Sequence, residues 1–270
     1  MLKPYSDISR YFLKLILVVT LILLPLNLAA CNNTGSSQKS LTIAVASSLK
    51  PVIEDFTSLF RNDYPEVHVT LAAGSSGALA EQIKNGAPYD LFISANQHYS
   101  QRLGSEGMLD PADSRKLARG KLTIISKSQQ HTKNIKAILT DPSVIYIGIA
   151  NPRLAPYGSS AIKFMESEGV LNSLQTKLVY TENVAQTLQL VLSKNAELGF
   201  VSKSLVASQG VENFGLVYEL PSDYNSNLVV TSGAVLKKDS HPMTLNYLDM
   251  LSSSDYKHIW ETFEYEMLGS

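Results

Sequence analysis

Cysteine is almost absent from this sequence: there is one, Cys31, in 270 residues. A lone thiol forms no pair within the chain, so its presence needs an explanation of its own. An excess of charge of either sign is missing too. Lys and Arg number 23 against 24 Asp and Glu, a formal net charge of −1, and no block of like charges occurs. That balance excludes the basic footprint of a nucleic-acid-binding protein and any acidic tail. There is no internal repeat and no long low-complexity tract. Hydrolytic signatures are lacking as well, since H-E-x-x-H, G-x-S-x-G, K-T-G and S-D-N do not occur. The histidines, His68, His98, His131, His241 and His258, stand apart without metal-ligand spacing and read as surface residues. One S-x-x-K spacing, Ser47 to Lys50, opens a helical stretch and keeps a serine hydrolase as a remote alternative. The same spacing recurs at Ser36–Lys39, Ser160–Lys163 and Ser254–Lys257, as chance yields in a serine-rich chain.

What is present begins with a leader. Lys3, Arg10 and Lys14 precede an apolar run, Leu15 to Leu24, broken only by Thr20 and followed by Pro25 and small residues. The run is short for a membrane span. It ends in Leu28-Ala29-Ala30-Cys31, which resembles a bacterial lipoprotein signal whose cysteine is lipidated and becomes the new N-terminus. This reading explains both the presence and the position of the single cysteine. It makes residues 1–31 a signal peptide and anchors the exported protein, through lipid at Cys31, on the extracytoplasmic side of a membrane. Residues 32–40, polar with Gly35-Ser36-Ser37, read as a flexible tether. Without the leader, 20 basic and 23 acidic residues remain, a net charge of −3, which works mildly against an anionic ligand.

From Leu41 onward, strand-like and helix-like runs alternate. Leu41–Val45 and Val67–Ala73 read as strands, and the apolar positions Leu49, Val52, Ile53, Phe56, Leu59 and Phe60 fall at helical spacing. Ala78 to Asn85 reads as a helix ended by Gly86, a left-handed cap. Further strands are expected at 90–94, 121–125, 144–150, 177–181, 197–201 and 228–236. Helices are expected at 97–106, 135–139, 159–168 and 185–194, and through the last 30 residues. With 44% hydrophobic content, such alternation predicts an α/β protein with largely parallel strands, about nine or ten in all, in two sheets rather than one.

Four junctions between strand and helix carry the chemistry. Ala46-Ser47-Ser48-Leu49 and Gly74-Ser75-Ser76-Gly77 place serines where the first helical N–H groups lack partners. Asn151 to Ser160 runs from a strand through a Pro-rich loop to a helix start at Tyr157–Ser159. Tyr180 to Ala185 does so again, with Asn183 as N-cap. A serine before a helix is often only a cap. If the junctions converge, neutral donors and positive helix ends line one cleft, a place for an anion.

These stretches, with Gly86-Ala87-Pro88-Tyr89-Asp90-Leu91-Phe92-Ile93-Ser94-Ala95, Glu182-Asn183-Val184 and Leu198-Gly199-Phe200-Val201 in the same order, resemble the molybdate-binding proteins of bacterial ABC importers. The resemblance runs from about Leu41 to the C-terminus. It implies the two-lobed periplasmic binding protein fold of type II topology with a hinge between lobes. Residues 41–121 with 229–270 would form lobe one, and 122–228 lobe two. It further implies that Ser48 and Ser75 supply hydroxyls and N–H groups, and Tyr157 and Val184 backbone N–H groups. A hydroxyl from lobe two would come from Ser202, where some members carry a tyrosine; the shorter serine puts a direct contact there in doubt. Ser47 and Ser76 read as structural.

The ligand so implied is molybdate or tungstate, a tetrahedral dianion held through its oxygens, with sulfate or phosphate as the alternative. No catalytic residue and no cofactor are expected. Partners would be ABC permease subunits and the membrane, not nucleic acid, with the protein itself a monomer. Asp90 reads as a cap or turn residue, not a general base.

Overall fold

The computed structural model describes residues 40–129 and 134–268. The leader with Cys31, the tether apart from Ser40, and His131 lie outside the described residues.

Strand β1 (Leu41–Ala46) is apolar except for Thr42 and is the centre of a parallel trio with β2 (Val69–Gly74) and β3 (Leu91–Ser94). Between them run α1 (Lys50–Asp63) and α2 (Ser76–Lys84), followed by α3 (Gln97–Ser105) and β4 (Arg115–Arg119). The chain then crosses at Gly120–Lys121 to a second sheet. There β5 (Leu122–Ser126), α4 (Ile135–Thr140), β6 (Ile147–Ala150), α5 (Pro156–Ser167), α6 (Leu171–Leu174) and β7 (Leu178–Thr181) come first. They are followed by α7 (Val184–Leu192), β8 (Leu198–Ser202), α8 (Lys203–Gln209) and β9 (Leu216–Glu219). The chain returns to the first sheet with β10 (Val229–Ala234), α9 (Thr244–Ser252), α10 (Lys257–Thr262) and β11 (Glu266–Met267). Strand order is β11-β4-β10-β3-β1-β2 in one sheet and β7-β6-β8-β5-β9 in the other. This is the two-lobed binding-protein fold.

The sheets are mixed, not largely parallel. The strands of the β-α-β units pair in parallel, but β10 runs antiparallel to β3 and β4, and β5 antiparallel to β8 and β9. The exceptions sit where the chain crosses between sheets, because a strand arriving from the other lobe enters from the opposite end. Strands β4, β9 and β11 escape the hydropathy pattern. β4 is Arg-Lys-Leu-Ala-Arg, and its neighbours β10 and β11 arrive more than a hundred residues later. The last 30 residues carry α9 and α10 with a 3-10 turn, Ser254–Tyr256, between them, after which Glu264 adopts φ 61° and the chain turns into β11. His241 also departs from expectation. It is buried because the loop after β10 folds back on Asp90, whose carboxylate accepts from the His241 N–H (2.8 Å), the Thr42 N–H (2.9 Å) and Lys237 Nζ (2.8 Å). Asp90 is thus a structural tie.

In the first lobe, α1 lays Phe56 against Trp260 (5.3 Å between centroids) and Phe60 against Tyr247 (4.9 Å), so helices from both ends of the chain close one core. The two crossing segments run side by side. Gly120 N–H donates to the Leu228 carbonyl (2.9 Å), and the buried Asn225 side chain accepts from the Leu122 N–H (2.8 Å). Replacing Asn225 by Ala leaves that buried N–H unpaired. The expected loss, read from urea unfolding, is about 1–3 kcal/mol.

Candidate anion-binding site

The four junctions come together where the lobes face each other. Ser48, Ser75, Tyr157 and Val184 line one gap. β1 and β2 aim their C-terminal ends at it from one side, and β6 and β7 from the other, as expected for ligands of open α/β sheets.

Each junction leaves a donor free. After β1 the chain makes a tight turn, with Leu49 N–H on the Ala46 carbonyl and Ser47 N–H on the Gly74 carbonyl, both at 2.8 Å. Leu49, not serine, is the N-cap of α1, and it makes no side-chain cap bond. The Ser48 hydroxyl is therefore not a cap. It is buried and has no hydrogen-bond partner. Ser75 does cap α2, accepting from Ala78 N–H at 3.4 Å, and its own proton remains to be donated. Ser76 is structural: its hydroxyl accepts from the Ala95 N–H at 3.1 Å.

On the opposite side α5 begins three residues earlier than the hydropathy pattern predicts. Pro156, at the first helical position, is pre-set for the helix and has no N–H to satisfy. Tyr157 thereby falls in the first turn, where N–H groups have no intrahelical partner. Gly158 permits this placement, since a Cβ there would lie 2.0 Å from the Ala150 carbonyl oxygen. At α7 the Asn183 side chain accepts from Ala185 and Gln186, each at 3.1 Å, and bypasses Val184. The N–H groups of Ser48, Ser75, Tyr157 and Val184 meet no acceptor among the described residues.

No charged side chain lines the gap, and no group of three or more His, Cys, Asp or Glu among the described residues has metal-binding geometry. The gap leaves about 10 Å³ for the centre of a water-sized group, whereas sugars and other drug-sized ligands need pockets of roughly 300–1,000 Å³. A larger groove between α1, α7 and α8, about 530 Å³ by the same measure, shares Ser47 with it but mixes Lys50, Glu54 and Asp55 on an open surface. Across the gap the lobes touch. Gly77 N–H donates to the Leu154 carbonyl (2.8 Å), and Tyr99 Oη to the Arg153 carbonyl (3.4 Å).

A gap of unpaired neutral donors between two lobes suits capture of a small anionic solute, and the match along the chain agrees. Residues 41–266 match the bacterial extracellular solute-binding proteins. The chain belongs to that family. It is 30% identical to the molybdate-binding protein ModA of Rhodobacter capsulatus over 82% of this chain and 86% of that one. It is 26% identical to YvgL of Bacillus subtilis, a putative ABC transporter substrate-binding lipoprotein, over 87% of this chain and 91% of that one. Among solved structures, the periplasmic molybdate-binding protein of Azotobacter vinelandii aligns with a TM-score of 0.78 at 25% identity, covering 84% of this chain and 98% of that one.

Not every residue expected at the site of this solute-binding protein reaches it. Ser202 is fully buried at the end of β8 but does not line the gap. Its hydroxyl accepts from Leu205 N–H (3.4 Å) and pairs with Ser204 Oγ (2.9 Å). A serine is too short to span the distance a tyrosine would. The Tyr157 phenol stands behind the gap instead, against Gly120, where an added Cβ would lie 2.2 Å from its oxygen. The S-x-x-K lysine, Lys50, pairs with Glu54 (2.7 Å) on an exposed helix face, not with Ser47. Two residues absent from the sequence reading, Ser204 and Tyr265, approach the site from behind. Neither stands in a motif, and only the fold brings them near Ser48.

Burial, reinforced by the neighbouring Tyr265, raises the Tyr157 phenol well above its ordinary value near 10. Burial also raises Tyr265, against the opposing effect of the nearby Ser204, Ser48 and Tyr157 hydroxyls. A raised folded value means the native protein keeps protons that the unfolded chain releases. The associated stability is complete below pH ~10 and is lost as pH climbs towards the folded values. Thermal unfolding across this range should show a midpoint that falls above pH ~10. The fall should be shallower in Tyr265→Phe.

Proposed function

We propose that this solute-binding protein captures molybdate, with tungstate as its near-equal in size and charge, in the gap between its lobes and delivers it to an ABC permease for import. The observation that carries the reading is the orphaned Ser48 hydroxyl, buried beside three other junctions whose N–H groups lack acceptors. Six donors face one small space: hydroxyl and N–H from Ser48 and Ser75, and N–H from Tyr157 and Val184. Molybdate is fully deprotonated at neutral pH and needs donors alone. Each bond to a charged oxygen contributes about 1.5–3 kcal/mol, so the set is ample for sub-micromolar binding after association costs. Protonated phosphate would bring an O–H to a gap lined by no carboxylate, where only a serine hydroxyl oxygen could accept it.

The first lobe holds four of the donors and the second two, so the anion binds the closed form better than the open one and shifts the hinge equilibrium towards closure. The protein binds and releases its ligand without transforming it. Because one chain supplies both halves, it acts as a monomer. We also read Cys31 as a lipid anchor that keeps the protein on the extracytoplasmic face of a membrane. The support is the Leu28–Cys31 sequence and the description of the B. subtilis relative as a lipoprotein.

Thermal unfolding of the protein lacking residues 1–31, with molybdate, tungstate, sulfate or phosphate in turn, tests the substrate. A ligand at about a hundred times its dissociation constant adds roughly 2.7 kcal/mol, which raises the midpoint by several degrees. The expected result is a shift with molybdate and tungstate alone. A shift with sulfate or phosphate instead would overturn the substrate, and no shift at all the binding role. The Ser48→Ala variant separates binding from folding. Removing an unpartnered buried hydroxyl should leave the ligand-free midpoint unchanged or higher while molybdate affinity falls by about 10-fold or more.

A further inference from the structure

Behind the anion gap lies a closed group of hydroxyls from four distant parts of the chain. Ser48, Tyr157, Ser202, Ser204 and Tyr265 are each no more than 3% exposed. The Ser48 carbonyl accepts two bonds, from Ser204 Oγ at 2.8 Å and from Tyr265 Oη at 3.0 Å. Those two hydroxyls meet each other at 3.1 Å, and Ser204 also meets Ser202 Oγ at 2.9 Å. Ser48 follows β1 in the first lobe, Ser204 sits on α8 in the second, and Tyr265 lies just before β11. The bond from Ser204 to Ser48 therefore crosses between the lobes.

The clamp settles which groups of the Ser47–Ser48 turn remain free. The Ala46 carbonyl is taken by Leu49 N–H, the Ser47 N–H by Gly74, and the Ser48 carbonyl by Ser204 and Tyr265. What remains on Ser48 is its N–H, a donor, and its hydroxyl, whose proton is free to be donated. A carbonyl swung into the gap would set its lone pairs against an anion, and two buried donors hold it on the far side. Helix α1 does not hold that carbonyl, since its first backbone bond from the N-terminus is Ile53 N–H to Leu49.

We propose that Ser204 and Tyr265 are positioning residues for oxyanion binding: they fix the Ser48 peptide so that its N–H and hydroxyl, not its carbonyl, face the gap, and Ser204 ties that peptide to the second lobe. Neither residue lines the gap, so they act through Ser48. The inference rests on the oxyanion-binding reading above and adds residues that no contact with the ligand would reveal.

The test is titration of the protein lacking residues 1–31 with molybdate, for wild type, Tyr265→Phe, Ser204→Ala, the double variant and Ser204→Thr. The ligand-free thermal midpoint of each is measured alongside, and titrations are run well below the lowest one. Loss of one donor to the Ser48 carbonyl should weaken binding by about tenfold, and loss of both by more. Ser204→Thr keeps the hydroxyl and should bind close to wild type. If the double variant does not fold, the single variants carry the test. Wild-type affinity in Tyr265→Phe and Ser204→Ala, with only the ligand-free midpoint lowered, overturns the inference and leaves the two residues as core hydroxyls. A wild-type protein that binds none of the four oxyanions overturns the functional reading, and this inference with it.

Discussion

Four unpaired donor sites held face to face with no acceptor between them are the constraint on which the rest of the structure depends. Helix starts that point at one another repel, and a buried donor without a partner costs about 1–3 kcal/mol. The surroundings must therefore hold what the site alone would disperse. Close backbone approach supplies much of that rigidity. Gly158 lets α5 begin directly against the end of β6, and Gly77 lets the start of α2 meet Leu154 from the other lobe; a Cβ at Gly77 would lie 2.9 Å from the Leu154 Cα. Behind these contacts the Asn151 N–H reaches the Thr181 carbonyl at 2.8 Å, so the two junctions of the second lobe are joined to each other.

Neutral donors serve this design better than a lysine or arginine would. A cation would attract many anions at long range and would hold them even in an open cleft. N–H groups and hydroxyls act at bonding distance only, so half a site on one lobe holds little and the full set exists only on closure. On the proposed oxyanion-binding reading, selectivity follows from cavity size. The overall charge of the protein has little part in it.

Much of this was legible in the sequence, and the reasons differ by element. Gly86 reads as a helix stop and has φ of 84°, and Gly107 and Gly169, just past the expected helices 97–106 and 159–168, have φ of 73° and 69°. The Asn183 cap was legible because its bonds are local. Ser48 and Ser75 stand in short motifs at strand ends, and both reach the gap. Ser202 was drawn in by correspondence alone and lies behind it, because position in a motif does not convey the reach of a side chain. Strands β4 and β11, the burial of His241 and the Ser204–Tyr265 clamp were hidden. Each depends on segments that meet across more than a hundred residues of chain, where no local pattern carries a signal. Ser48 is the instructive case: propensity reads it as a helix cap, yet its hydroxyl caps nothing and has no partner.

The double crossing of the chain also bears on how the protein is made. The second sheet is contiguous, from Leu122 to Glu219, and can close while synthesis is still under way. The first cannot, because β10 lies between β4 and β3, and both α9 and α10 come later still. Until residue 229 and beyond have emerged, β3 presents an open hydrogen-bonding edge and Phe56 and Phe60 lack the Tyr247 and Trp260 rings that cover them. For most of its time as a nascent chain, the lobe that carries Ser48 and Ser75 is therefore the incomplete one. Its N-terminal segment waits for the C-terminus, which makes this half of the protein the natural client of any factor that shields unfinished sheets.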